Sequence, residues 1–416
     1  MKTLAALLVM SFGFAWSGET VIDEAERALA DGRHQKAIET LTRFLEAERR
    51  EPLSREIRFK ARTTLAKAHL RKWEPDQALQ QVALAEGLAG AELVDRLLIL
   101  RLCAVARHNA GDAEGARKAL TKALELAKDE SAAKRVDLQV QLGELELSQG
   151  RPKAARAAIV MSVIATTGSD LTVAEELKLK WLAARIRHWC GEYKKAEVGL
   201  RGILDAELGP EERARAHRAL GRVLLATPEG RVSDAIAELK KAMSIYRKGP
   251  RTHSGAVSTL GSLAWAYAHR DDVASVNACV QAARKQALPA GHPVWAGVLR
   301  AEAWVLACTG KSDEARKLLA RAIELESRYQ AESAPGIVDS KLLLLQIELA
   351  DGNKPEALRL ADSCVRSIER DFGKDAGALW RPLAYVAEVL GALGREQDAA
   401  QARERMELAI RQTKRR

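Results

Sequence analysis

The chain has 416 residues, 47% hydrophobic and 29% charged, too long for one ordinary core and too apolar for a disordered polymer. Aromatic residues make up only 4%, alanine and leucine dominate, and period-two runs of Val, Ile and Thr are missing, which favours helices and leaves no case for a sheet. The 66 basic and 56 acidic residues leave a net charge of +10, which permits anionic partners and says nothing of the fold.

At the N-terminus Lys2 precedes the apolar run from Leu4 to Phe14, and Ala15 and Ser17 place small residues three and one before a cleavage point. This is the layout of a secretory signal over residues 1–17, cut near Ser17/Gly18, and it predicts an exported (periplasmic or secreted) protein. The run is shorter than the roughly 20 residues a stable membrane span needs.

From there on the chain repeats. Glycine followed five residues later by alanine occurs at Gly32/Ala37, Gly111/Ala116, Gly150/Ala155, Gly191/Ala196 and Gly230/Ala235, then at Gly310/Ala315, Gly352/Ala357 and Gly394/Ala399. Trp73/Ala78 and His269/Ala274 fill the gaps, so that ten markers follow one another at 38 to 42 residues. Each marker reads as the turn of a helical hairpin. The glycine ends one helix in the left-handed region, and the alanine lets the next helix approach closely.

Small residues seven before the glycine (Ala25, Ala104, Gly143, Ala184, Ala303, Ala387) supply the facing half of that contact. Leu41, Leu120, Leu200, Leu239 and Leu319 continue the buried stripe. The prolines agree with this register. Pro75, Pro152 and Pro355 fall in first turns of second helices, and none falls in a predicted helix interior. The solenoid is predicted over 18–411, with a basic tail at 412–416 that ends in Lys414, Arg415 and Arg416.

This small–turn–small hairpin resembles the tetratricopeptide repeat, in the longer-period form of kinesin light chains, to which Gly291-His292-Pro293 is also similar. The resemblance implies an all-α, right-handed superhelical solenoid of about ten helix-turn-helix repeats, with the first helix of each hairpin facing a concave groove. Counting back 13, 10, 6, 3 and 2 residues from each turn gives the groove positions so implied. In the fifth hairpin these are Lys178, Trp181, Arg185, His188 and Trp189, which share one helix face. The sixth adds Arg215, Arg218 and Arg222, the seventh Tyr267, and the eighth Arg300 and Trp304. The third and fourth place Arg101, His108, Asn109, Asp137, Val140 and Glu144 there.

No phosphate loop, dinucleotide fingerprint, zinc helix or nucleophile elbow occurs. The five cysteines are widely spaced, lack a Cys-x-x-Cys pair and are expected as free thiols, with no metal and no cofactor. His188 and Cys190 are two apart on a helix and cannot face each other. The sequence therefore predicts a scaffold or adaptor, not an enzyme, whose basic and aromatic groove holds a partner protein or acidic peptide segment. A small-ligand-sensing or regulatory subunit is the alternative, followed by a binder of nucleic acid or anionic surfaces.

Overall fold

A computed structural model describes residues 18–47, 52–90, 92–165, 172–248, 254–286 and 288–414. The expected leader, 1–17, and Arg415 and Arg416 lie outside them. Among the described residues there are twenty α-helices and no strand. They group into two compact units, one ending at Ala106 and the other Arg107–Arg416.

The first unit holds α1 (Gly18–Ala30), α2 (His34–Ala47), α3 (Arg55–Arg71), α4 (Pro75–Glu86) and most of α5 (Leu93–Asn109). The second continues with α6 (Ala113–Leu126), α7 (Ala132–Ser148), α8 (Pro152–Ala165), α9 (Val173–Cys190), α10 (Tyr193–Leu204), α11 (Pro210–Ala226) and α12 (Val232–Tyr246). It is completed by α13 (Ser254–Ala268), α14 (Val273–Arg284), α15 (Trp295–Cys308), α16 (Ser312–Ser327), α17 (Pro335–Ala350), α18 (Lys354–Phe372), α19 (Trp380–Ala392) and α20 (Glu396–Lys414). Odd and even helices alternate as the two arms of ten hairpins.

The turns explain the pattern. Eight hold a glycine with positive φ at the expected markers, and Trp73 (φ 61°) and Asp271 (φ 54°) serve in the other two. The marker alanines Ala37, Ala78, Ala116, Ala155, Ala196, Ala235, Ala315, Ala357 and Ala399 are all buried, and so are the facing residues Ala25, Ala104, Ala184, Ala303 and Ala387. Gly221 takes the facing position in α11, where a Cβ would stand 2.7 Å from Leu239 Cγ. The leucines of the stripe are buried too, each contributing about 1.5–3 kcal/mol of hydrophobic stabilisation.

The seventh hairpin requires a correction. Its left-handed residue is Asp271, two residues beyond His269, and the packing position five later is the buried Val276, while Ala274 is exposed. Aspartate tolerates this conformation better than most residues, and the adjoining Asp272 caps α14 by accepting from Ser275 N at 3.0 Å. The C-terminus also differs from expectation. α20 runs on to Lys414, with Thr413 buried and Lys414 Nζ 3.3 Å from Glu229, so the basic tail begins as a helical turn. No helix among the described residues is long and apolar enough to cross a membrane.

Candidate binding lumen

In the second unit the first helices of the fifth to tenth hairpins turn one face inward. His188 from α9, Arg222 from α11, Ser262 and Trp265 from α13, Arg300 from α15, Asp339 from α17 and Arg381 from α19 line one small chamber of about 70 Å³. Beside it lies a wider cavity of about 520 Å³, walled by His269, Trp304, Trp380 and Tyr385. Trp265, Asp339 and Arg381 border both spaces.

Later hairpins fold back onto the turns of earlier ones and enclose the chamber. Ala331 N donates to Ser148 O at 2.7 Å, Gln149 Nε2 to Tyr329 O at 3.2 Å, and Trp380 Nε1 to Ala226 O at 3.2 Å. At Gly191 the backbone of Gly377 and Ala378 passes so close that a Cβ would collide with it. The short 3-10 turn Gly377–Leu379 brings that backbone there.

Charge in the small chamber is unbalanced. Arg185 pairs with Glu144 at 2.9 Å and Arg381 with Asp339 at 2.6 Å. Arg218 donates to Gly255 O at 3.2 Å. Arg300, only 7% exposed, gives its Nη1 to Gly336 O at 2.6 Å and to Ser340 Oγ at 3.1 Å, lies 5.3 Å from the Trp265 ring, and has an Nε with no partner. Among the described residues Arg222 has Glu326 and Asp339 as its carboxylate neighbours, which act on it through the field of the lumen and not through a side-chain hydrogen bond. Its side chain is exposed toward the lumen, yet the surrounding protein and, next, Arg300 push its pKa down against the pull of Glu326 and Asp339.

The other ionisable groups respond to the same surroundings. Burial raises the pKa of Glu326 against the pull of Arg300 and Arg222. Burial also acts to raise that of Asp339, but Arg381 and Arg300 outweigh it, and the carboxylate stays ionised. Burial, aided by Arg222, lowers His188 to about 3, so its imidazole is neutral. Three guanidinium groups, Arg222, Arg300 and Arg381, thus share the small chamber with one carboxylate, Asp339, while Asp271 and Glu388 line the wider cavity.

The remaining predicted residues divide. Lys178 bonds Asp137 at 2.8 Å, and Arg215 lies 6.0 Å from the Trp181 ring. Trp189 is a core residue as well as part of the chamber wall: it is 7% exposed, packs with Leu147, Leu182 and Ile337, and meets Phe372 edge-on at 6.5 Å. Val140 is buried, and Arg101 belongs to the first unit. Tyr267 is a correction that follows from the shifted seventh turn. Its ring lies 5.9 Å from Lys240 Nζ of α12, and Trp265 and His269, six and two before Asp271, take the inward positions.

Asp339 and Arg381 occupy the same register in the last two hairpins, each 13 residues before its glycine (Gly352, Gly394), so the repeat signal extends to them. Trp380 had no such signal, because its role arises from the closure. Among the described residues no group of three or more His, Cys, Asp or Glu could hold a metal.

Ten helical hairpins, with the first helices of the fifth to tenth facing inward, make this a helical-repeat protein of the tetratricopeptide-like fold. No family model and no curated protein matches the sequence. Among solved structures, a Rap protein complexed with competence and sporulation factor is similar at 14% identity and a TM-score of 0.55, over 85% of this chain and 98% of its own. The apo quorum sensor NprR of B. thuringiensis is 13% identical over 94% of this chain and 98% of its own, with a TM-score of 0.43. Kinesin-light-chain TPR-like repeats from Podosopora anserina are 20% identical over 50% of this chain and 100% of theirs, with a TM-score of 0.34. At such identities the likeness concerns the fold.

Proposed function

We propose that this chain is a non-catalytic scaffold that holds an acidic segment of a partner protein in the lumen of its fifth to tenth hairpins. The observation that carries this reading is the small chamber, where Arg222, Arg300 and Arg381 meet a single lining carboxylate, Asp339, which is already paired with Arg381. A partly dehydrated guanidinium gains most from an incoming anion, because charge-assisted bonds strengthen where water is scarce. A Rap protein of the same fold was solved in complex with a factor, which supports reading the lumen as a seat for a partner.

Export belongs to the same proposal, with maturation near Gly18, supported by the apolar run of the leader. The experiment is a cross-linking capture from the native compartment with the intact chain and with the Arg218→Ala, Arg222→Ala variant. A partner rich in Asp or Glu that only the intact chain retains is the expected result. Equal retention by the variant would move the binding surface elsewhere. A second reading, a sensor of a small anionic ligand, draws on the size of the chamber. Thermal stabilisation of the intact chain by low-molecular-weight acids alone would favour it.

A further inference from the structure

The chamber and the cavity beside it are unequal in size and unlike in chemistry. The chamber, about 70 Å³, has room for one small polar group and not for a length of backbone. Its unspent donors are the guanidinium of Arg222 and the buried Nε of Arg300. His188 adds a neutral imidazole to the same wall. The adjoining cavity of about 520 Å³ has the aromatic side chains Trp265, Trp304, Trp380 and Tyr385 around it, with Asp271 and Glu388 also on its wall. The Arg381–Asp339 pair stands between them.

We infer that the lumen recognises a peptide by a single carboxylate seated against Arg222, with the aromatic or apolar residue next to that carboxylate lying in the Trp304–Tyr385 cavity. The inference rests on the peptide-holding function proposed above and specifies its ligand. A planar monoanion matches the fork of a guanidinium by two parallel bonds. A phosphate dianion suits the chamber less, because Asp339 keeps its negative charge in the same wall. The aromatic faces give the neighbouring side chain large, rigid contact area. A chain terminus and an Asp or Glu side chain both offer the required carboxylate.

Titration calorimetry on the intact chain separates these sources with three tetrapeptides. Acetyl-Gly-Gly-Trp-Glu amide carries only a side-chain carboxylate, acetyl-Gly-Gly-Trp-Gln acid only a terminal one, and acetyl-Gly-Gly-Trp-Gln amide none. At least one charged peptide is expected to bind ten-fold or more tightly than the uncharged one, and the better of the two identifies the source. Arg222→Met should remove that advantage, and Trp304→Ala should weaken all three peptides alike.

Equal binding of all three peptides, their common failure to bind, tighter binding of inorganic phosphate, or an unaffected Arg222→Met would each overturn the inference. Should Arg222→Met not fold, Arg222→Lys keeps the charge without the fork and is expected to bind several-fold more weakly; unchanged binding there overturns the inference too. A glutamate-rich twelve-residue peptide tests the parent reading separately. If it binds while the charged tetrapeptides do not, the scaffold function stands and the single-carboxylate site falls. If it also fails, both fall.

Discussion

The indole N–H of Trp380, at the start of α19, donates to the carbonyl of Ala226, at the end of α11, over 3.2 Å and 154 residues of chain. In an open solenoid each hairpin touches only its neighbours, and stability is a sum of nearest-neighbour terms. Here hairpins five and six also touch the ninth connector and the tenth hairpin, through Gly191 with Gly377, Trp380 with Ala226, and Lys414 with Glu229. Longer-range terms therefore enter the stability of the second unit.

Truncation after Asp371 tests those terms. The shortened chain is predicted to remain helical but less stable, with faster amide hydrogen exchange at the ends of α9 and α11, far in sequence from the cut. Unchanged exchange at those ends would show that the closure contributes no stability.

Two glycines with nearly the same backbone separate strain from contact. Gly310 (φ +77°) has nothing near its missing Cβ, whereas at Gly191 (φ +78°) that atom would strike Ala378 N. Gly310→Ala is predicted to destabilise by about 1–2 kcal/mol, the left-handed penalty alone. Gly191→Ala adds overpacking, for about 2–5 kcal/mol in all. Denaturant unfolding measures both, and equal losses would mean that the Gly191–Ala378 approach can relax.

The arginines of α11 are predicted to act on binding more than on folding. Replacing Arg218 and Arg222 by Ala should weaken an acidic partner by about 2–5 kcal/mol if the contacts are desolvated, and by below about 1 kcal/mol, vanishing at high salt, if they are wet. Arg222→Ala alone should leave the melting temperature unchanged or higher, since burial and Arg300 disfavour the Arg222 charge more than Glu326 and Asp339 favour it. A large fall in melting temperature would make Arg222 structural.

The pH dependence follows from His188, whose pKa in the fold is about 3 against an ordinary 6.5. Between those values the unfolded chain binds the extra proton, so stability is fully present above about pH 6.5 and is lost as pH falls toward 3. His292, lowered by burial to about 4, acts in the same direction. Thermal melts at pH 7 and 4.5 are predicted to show this loss, with a shallower slope for His188→Asn. An identical slope would show that His188 is freely hydrated.

None of the five cysteines is joined in a disulfide. Denatured without reductant, the protein is predicted to titrate as five thiols. In the native state the exposed Cys308 should react first and Cys364 last, because Cys364 is fully buried and burial pushes its pKa up to about 12. Fewer than five thiols would reveal a disulfide and break the helix register.

Local chemistry alone determined the hairpins. A glycine that can turn left-handed, an alanine five later, a leucine four beyond and a proline only where an N–H is dispensable decide each turn within a dozen residues. Where that signal was replaced, at Asp271, the reading slipped by two residues and lost Trp265 and His269 to Tyr267. The inward row was readable by the same count through Arg185, Arg222, Arg300, Asp339 and Arg381. Which of these keep a counter-charge was not, because Glu144 and Asp339 come from other helices. Nor could a repeat pattern show that Gly191 meets Ala378 or that Trp380 reaches Ala226. Those contacts depend on a small rotation per hairpin summed over five hairpins, and only the tertiary structure carries out that sum.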